Sequence, residues 1–220
     1  MAALRDPVRR RLYEYVAAQD HEVSRNEAAD AAGIQRTLAA FHLDRLAEAG
    51  LLETTGRRLS GRSGPGAGRP AKLYRRSRRE HTVALPPRDY RTAAELLAEV
   101  AEAARLDAEL REAARRQGRE LRAAEEMPAE GLAGVTALLA RRGYEPRVEE
   151  TDAGPVVRMR NCPFHTVAEG FPALVCGMNL ALLEGLLEGP HEGAGDLCVR
   201  MDPRPGMCCT VVEPSKSNDS

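Results

Sequence analysis

The sequence predicts an α+β fold in three parts: short helices closed by a β-hairpin, a long helical stretch, and a small C-terminal α+β domain rich in cysteine. Three observations lead there. Helical apolar spacing punctuated by caps and glycines fills residues 7–50 and is followed by a Gly-rich hairpin pattern. Proline-free sequence dominated by Ala, Leu, Glu and Arg runs over 88–126. From 128 onward helix and hairpin patterns alternate, and all five cysteines (Cys162, Cys176, Cys198, Cys208 and Cys209) fall in this last part.

The first helix is predicted over 7–19, where Val8, Leu12, Tyr15 and Val16 share a face, Pro7 suits the first turn and Asp6 stands as N-cap. A second helix begins at Ser24, with Glu27 three residues later as in a capping box, and ends at Gly33. A third covers 35–49, with Ala39, Leu43 and Leu46 inward, and Gly50 closes it. Helix, Gly-containing turn, helix is the spacing of a helix-turn-helix. Leu51–Leu59 and Ala71–Arg75 then read as strands around the loop Ser60–Pro70, a Gly-rich, Arg-bearing hairpin placed as a wing.

Pro86-Pro87 marks a boundary. The domains are read as 1–80, DNA-binding; 81–127, helical linker and dimerisation region; 128–213, sensor domain; and 214–220, a disordered tail. Residues 88–126 read as one helical run with the apolar stripe Leu96, Val100, Leu106, Leu110 and Leu121, which faces either a partner subunit or its own domain. Beyond it come a helix over 129–142, strands at 144–150 and 155–161, a loop at 162–170, a helix over 171–188, and strands at 196–201 and 207–213.

Charge separates the parts. Residues 1–80 hold sixteen Lys/Arg against ten Asp/Glu, and 55–80 alone nine against one, whereas 81–220 hold sixteen against twenty-three. A polyanion fits the N-terminal part. Aromatics at 4% are too few for a base-stacking single-strand binder. The third helix opens on Gln35, Arg36 and Thr37, and Ala40, His42 and Arg45 follow at accessible positions. Amide and guanidinium can each reach adenine or guanine edges, and a hydroxyl or helix N-terminus can hold phosphate. Arg62 and Arg69 in the wing are placed for phosphates or a minor groove. His42 serves equally well as a structural residue, Arg45 as a surface ion pair with Asp44 or Glu48, and Phe41 reads as packed beneath the wing.

The N-terminus is charged too early for a secretory signal and no run of eighteen apolar residues occurs, so a soluble cytoplasmic protein without membrane association is expected. Five cysteines suit no disulfide framework. Thiolate sets favour zinc, copper(I) or iron–sulfur clusters. Cys162, Cys176 and one of Cys208 or Cys209 make three ligands, since neighbours on a strand face opposite ways; Cys198 or His165 supplies a fourth. No CxxC pair is present, and buried reduced thiols are the plain alternative. Catalysis is not expected: there is no nucleophile elbow or carboxylate-rich metal motif, and the glycines at 61–68 lack the Lys-Ser/Thr ending of a phosphate loop.

Residues 5–77 resemble the winged helix-turn-helix of ArsR- and MarR-like bacterial regulators, most closely over Ile34-Gln-Arg-Thr-Leu-Ala-Ala-Phe-His-Leu-Asp-Arg-Leu-Ala-Glu-Ala-Gly-Leu-Leu-Glu53. That resemblance implies a homodimer on an inverted-repeat double-stranded DNA operator. Residues 129–213 resemble the C-terminal domain of the SufR-type iron–sulfur repressors through Asn161-Cys-Pro-Phe-His165, the stretch Pro172–Glu188, and Cys208-Cys209. The resemblance implies a [4Fe–4S] cluster held by Cys162, Cys176 and Cys208 or Cys209. It implies a repressor of genes for cluster assembly or redox response. Zinc, thiol oxidation or a small ligand are the alternatives.

Overall fold

In the computed structural model, which describes residues 2–57, 71–77, 88–124, 131–152, 154–188 and 197–215, the chain divides into two units, residues 1–85 and 86–220. Mixed helix and antiparallel sheet make it α+β. In the first unit Asp6 caps α1 (Pro7–Ala18), its carboxylate accepting from the Val8 and Arg9 amides at 2.9 and 3.0 Å. Ser24 and Glu27 form the reciprocal capping box that opens α2 (Arg25–Ala32). Gly33, at φ +63, ends α2, and α3 (Arg36–Glu48) follows after a two-residue turn. Gly50 closes α3 with the paired bonds of a Schellman turn, Gly50 amide to Ala47 carbonyl and Leu51 amide to Leu46 carbonyl.

β1 (Val23–Ser24), β2 (Leu52–Arg57) and β3 (Ala71–Arg76) form an antiparallel sheet in the order β1-β3-β2. The sequence reading missed β1, which is too short to show alternation. Leu12, Val16, Val23, Ala28, Ala39, Leu43, Leu46, Leu52 and Tyr74 fill the core between helices and sheet. The loop at 60–70, with Arg62 and Arg69, lies outside the described residues.

The second unit corrects the single run expected over 88–126. It is two helices, α4 (Tyr90–Ala103) and α5 (Asp107–Ala123), broken at Arg105, which takes φ +56. The Arg105 amide donates to the Glu102 carbonyl and the Leu106 amide to that of Ala101, so a Schellman turn ends α4 without the usual glycine. The apolar stripe splits accordingly: Leu96, Val100 and Leu106 are exposed, whereas Leu121 packs on the core.

α6 (Gly131–Arg141) ends in a turn at Gly143 and leads to β4 (Pro146–Thr151) and β5 (Gly154–Met159). The expected loop at 162–170 contains a short helix, α7 (His165–Gly170), after which Phe171 breaks the chain before α8 (Pro172–Leu186). β6 (Leu197–Met201) and β7 (Thr210–Pro214) complete an antiparallel sheet ordered β4-β5-β7-β6. Residues 216–220 of the expected tail lie outside the described residues, and Pro214 belongs to β7. The core joins Val135, Leu138, Leu139, Tyr144, Val157, Met159, Leu183, Leu186 and Val212. On the other face of β5, buried Arg158 bonds Glu149 at 3.1 Å and Asp202 at 2.5 Å.

α5 lies along α8 at glycine-to-backbone distance. A Cβ on Gly118 would meet the Leu182 carbonyl oxygen and the Leu186 nitrogen; one on Gly185 would meet the Arg115 carbonyl. Arg115–Glu184 and Arg119–Glu188 ion pairs flank the crossing. α4 packs on α7. No helix among the described residues is long and apolar enough to cross a membrane.

Candidate functional site

Ala39, Leu43 and Leu46 are buried against α1 and α2, which turns the opposite face of α3 outward. Gln35, Arg36, Thr37 and Arg45 are exposed there, and Ala40 is half-buried beside them. His42 does not belong to this face. It is 6% exposed, and its Nδ1 accepts from Arg9 Nε at 3.4 Å, so it braces α3 on α1. Phe41, expected to be packed, is 52% exposed. One residue of register along a helix is a turn of about 100°, enough to exchange the roles of these neighbours. Arg45 lies over the Phe41 ring at 5.6 Å and pairs with Glu48 at 3.0 Å.

What fixes α3 to the sheet is Asp44. Its carboxylate accepts from Lys72 Nζ (2.7 Å), the Tyr74 hydroxyl (2.7 Å) and Arg25 (2.9 Å), and Arg25 Nε donates to the Tyr74 oxygen at 2.8 Å. Burial pushes the Tyr74 hydroxyl up to about 12, with the Asp44 bond adding to it. Burial works against the Asp44 carboxylate, yet Lys72, Tyr74 and Arg25 together hold it below its ordinary value of 3.8. A carboxylate depressed in the folded state stabilises above its unfolded pKa and loses that stabilisation as pH falls through the lowered folded value. Asp44→Ala is expected to cost about 1–2 kcal/mol at pH 7, the cluster being a third exposed, because two cations and a buried hydroxyl lose their acceptor. Urea denaturation should show the gap between wild type and variant closing below pH 4.

In the second unit, the segment after β5, the second turn of α8 and the approach to β7 bring four cysteines together. Asn161 anchors the first: its Nδ2 donates to the Gly143 carbonyl at 2.6 Å. Pro163 packs on Gly143, and the His165 amide bonds the Cys162 carbonyl at 3.0 Å. Cys176 comes from the second turn of α8. Cys208 and Cys209 precede β7 rather than lying in it. The Cys208 amide bonds the Met159 carbonyl and the Cys209 carbonyl accepts from the Asp202 amide. Because the chain bends there, strand alternation does not hold and both thiols reach the same group, which corrects the expectation that only one of them does.

Cys162 and Cys209 both lie within hydrogen-bonding reach of Cys208, and Cys209 of Cys176 as well. The Cys208 thiol is strongly lowered by its bonds with Cys162 and Cys209, with Thr210 helping and burial opposing. Cys162 and Cys209 are raised, first by bonding Cys208 and then by burial. Among the described residues no three His, Cys, Asp or Glu side chains stand around one point as a preformed ion site does. The thiols instead touch in sequence, 162 to 208 to 209 to 176.

Three nitrogens face these sulfurs: the Phe164 amide toward Cys162, and the Thr210 amide and Asn179 Nδ2 toward Cys208, the last at 3.4 Å. Asn179 is fully buried, and its Oδ1 accepts from the Tyr144 hydroxyl at 2.5 Å. Sequence reasoning missed it, although one Asn inside the run Leu174–Leu183 was the available signal. Donors of this kind stabilise metal-bound thiolates and fix their orientation. The donor set therefore suits a thiophilic metal or an iron–sulfur cluster. His165 does not join: it is exposed and pairs with Glu169 at 3.3 Å. Cys198 lies between Leu197 and Val199, which pack on the core, so it occupies the other face of β6.

Neither a curated protein nor a solved structure matches the chain. Residues 4–55, which contain α1 to α3 and the cluster of partners on Asp44 except its β3 members, match the family described as a helix-turn-helix domain, and the first unit thus carries a helix-turn-helix DNA-binding domain.

Proposed function

We propose that the chain is a cytoplasmic homodimeric transcriptional repressor, not an enzyme, whose cysteines 162, 176, 208 and 209 hold an iron–sulfur cluster of the [4Fe–4S] type. The observation that carries the reading is the meeting of four thiols from distant parts of the sequence beside three N–H donors. A cluster there supplies sensitivity to oxidants and to iron supply. The first unit binds an inverted-repeat operator with one α3 in each half-site, and the β2–β3 hairpin acts as its wing. Leu96, Leu97 and Val100, at 58, 72 and 65% exposure, form the dimer face on α4.

The protein's own part in signalling follows from packing. α7 begins three residues after Cys162 and carries α4; α8 carries Cys176 and grips α5 at Gly118 and Gly185. A shift of the cysteine segments is thereby passed to both helices of the dimer region, a two-state element that a ligand can bias. Zinc binding or thiol oxidation at the same cysteines is the second reading, favoured by the direct thiol contacts.

Anaerobic purification with iron and acid-labile sulfide analysis, followed by DNA-binding assays with and without the cofactor, tests the proposal. Matched iron and sulfide with a broad visible band is the expected result. A protein that stays colourless after attempted reconstitution sinks the cluster reading and leaves zinc or thiol chemistry, which zinc analysis and thiol counting then separate.

A further inference from the structure

Leu38 and Phe41 are the large apolar side chains left exposed among the described residues of the first unit, at 42 and 52%. Both lie on the outward face of α3, with Thr37 one turn before Phe41 and Arg45 one turn after it. The ring is held rather than loose. Arg45 covers one side at 5.6 Å, and His42 meets it edge-on with centroids 5.3 Å apart. His42 is itself buried and bonded to Arg9, so the edge contact rests on the core.

An aromatic ring held outward between a hydroxyl and a guanidinium fits a surface that is anionic with isolated apolar groups. The major groove offers one apolar group to a side chain, the 5-methyl of thymine. We infer that Phe41, with Leu38 beside it, selects thymine at a fixed position in each half-site by packing on that methyl, while Arg36 and Arg45 meet the surrounding polar atoms and phosphates. The inference rests on α3 being the helix that enters the groove.

The test uses the whole 220-residue chain. A bound duplex is first selected from a random-sequence pool, and each thymine is then replaced singly by deoxyuridine, which removes only the methyl. Wild type is expected to lose about fourfold in affinity per methyl at one position of each half-site. Phe41→Ala should bind more weakly and become indifferent to deoxyuridine at that position. Phe41→Leu, which keeps an apolar tip, should retain part of the discrimination. Because Phe41 is exposed, neither variant removes core packing. Wild type indifferent to every deoxyuridine, or Phe41→Ala as sensitive as wild type, overturns the inference alone. A wild-type chain that selects no duplex overturns the groove reading of α3 and the inference together.

Discussion

Gly185→Leu is expected to destabilise the second unit by about 3 kcal/mol or more, against a helix-propensity gain of roughly 1 kcal/mol. The reason is what the new side chain meets. At Gly185 the first carbon would already collide with the Arg115 carbonyl, and at Gly118 with the Leu182 carbonyl and Leu186 nitrogen. These are backbone atoms in the middle of helices and cannot swing aside as a side-chain tip does. α5 must therefore lift off α8. The ion pairs Arg115–Glu184 and Arg119–Glu188 do not prevent it, since partly exposed pairs contribute at most about 1 kcal/mol each. Gly177→Ala on the same helix is the control: its Cβ would stand 3.7 Å from Arg111 Cδ, an ordinary contact, and a gain of about 0.5–1 kcal/mol is expected. Alkylation of Cys208 in a urea series reads this unit alone, because every cysteine lies at or beyond residue 162 and Cys208 is 1% exposed. Gly185→Leu labelling at wild-type urea concentrations would show that the crossing is less tight than its backbone contacts require.

Features set by a few neighbouring residues were legible in the sequence. Asp6, the Ser24–Glu27 box, and the turns at Gly33, Gly50 and Gly143 depend on local hydrogen bonding, and each stands where its residue type predicts. The break at Arg105 was not legible. Arginine favours helix, and what ends α4 is a pair of carbonyl bonds that no residue type announces. The approach of Cys208 and Cys209 to one group of thiols was not legible either: it depends on a bend held by bonds to nearby Asp202 and to Met159, the latter far back along the chain. His42 and Phe41 exchanged places because periodicity fixes a stripe only to within about one residue. Asn179 is a tertiary fact, made by Tyr144, before β4, and by Cys208 and Thr210, at the start of β7, converging on α8.

Cys208→Ser is expected to abolish cofactor binding while leaving the fold in place. Cys208 lies within bonding reach of Cys162 and Cys209, receives Asn179 Nδ2 at 3.4 Å and touches the Thr210 hydroxyl at 3.3 Å, so the set is organised around this sulfur. A serine hydroxyl is close in size and can still bond Asn179 and Thr210, so the buried polar network keeps its partners. What it lacks is a thiolate for a thiophilic metal. Asn179→Ala separates holding from orienting. It removes the Asn179 donor to Cys208 and leaves the Tyr144 hydroxyl without its acceptor, costing about 1–3 kcal/mol of stability and about tenfold in metal affinity, short of abolition. Cys198→Ser, on the far face of β6, should change neither. Iron and sulfide per chain after anaerobic reconstitution, read beside far-ultraviolet circular dichroism, distinguishes the three variants. Full iron retained in Cys208→Ser, with Cys198→Ser depleted, would move the centre to the outer face of the sheet. Depletion confined to Cys208→Ser, with partial loss in Asn179→Ala, places the ligands where α8 meets the approach to β7 and makes Asn179 their positioning residue.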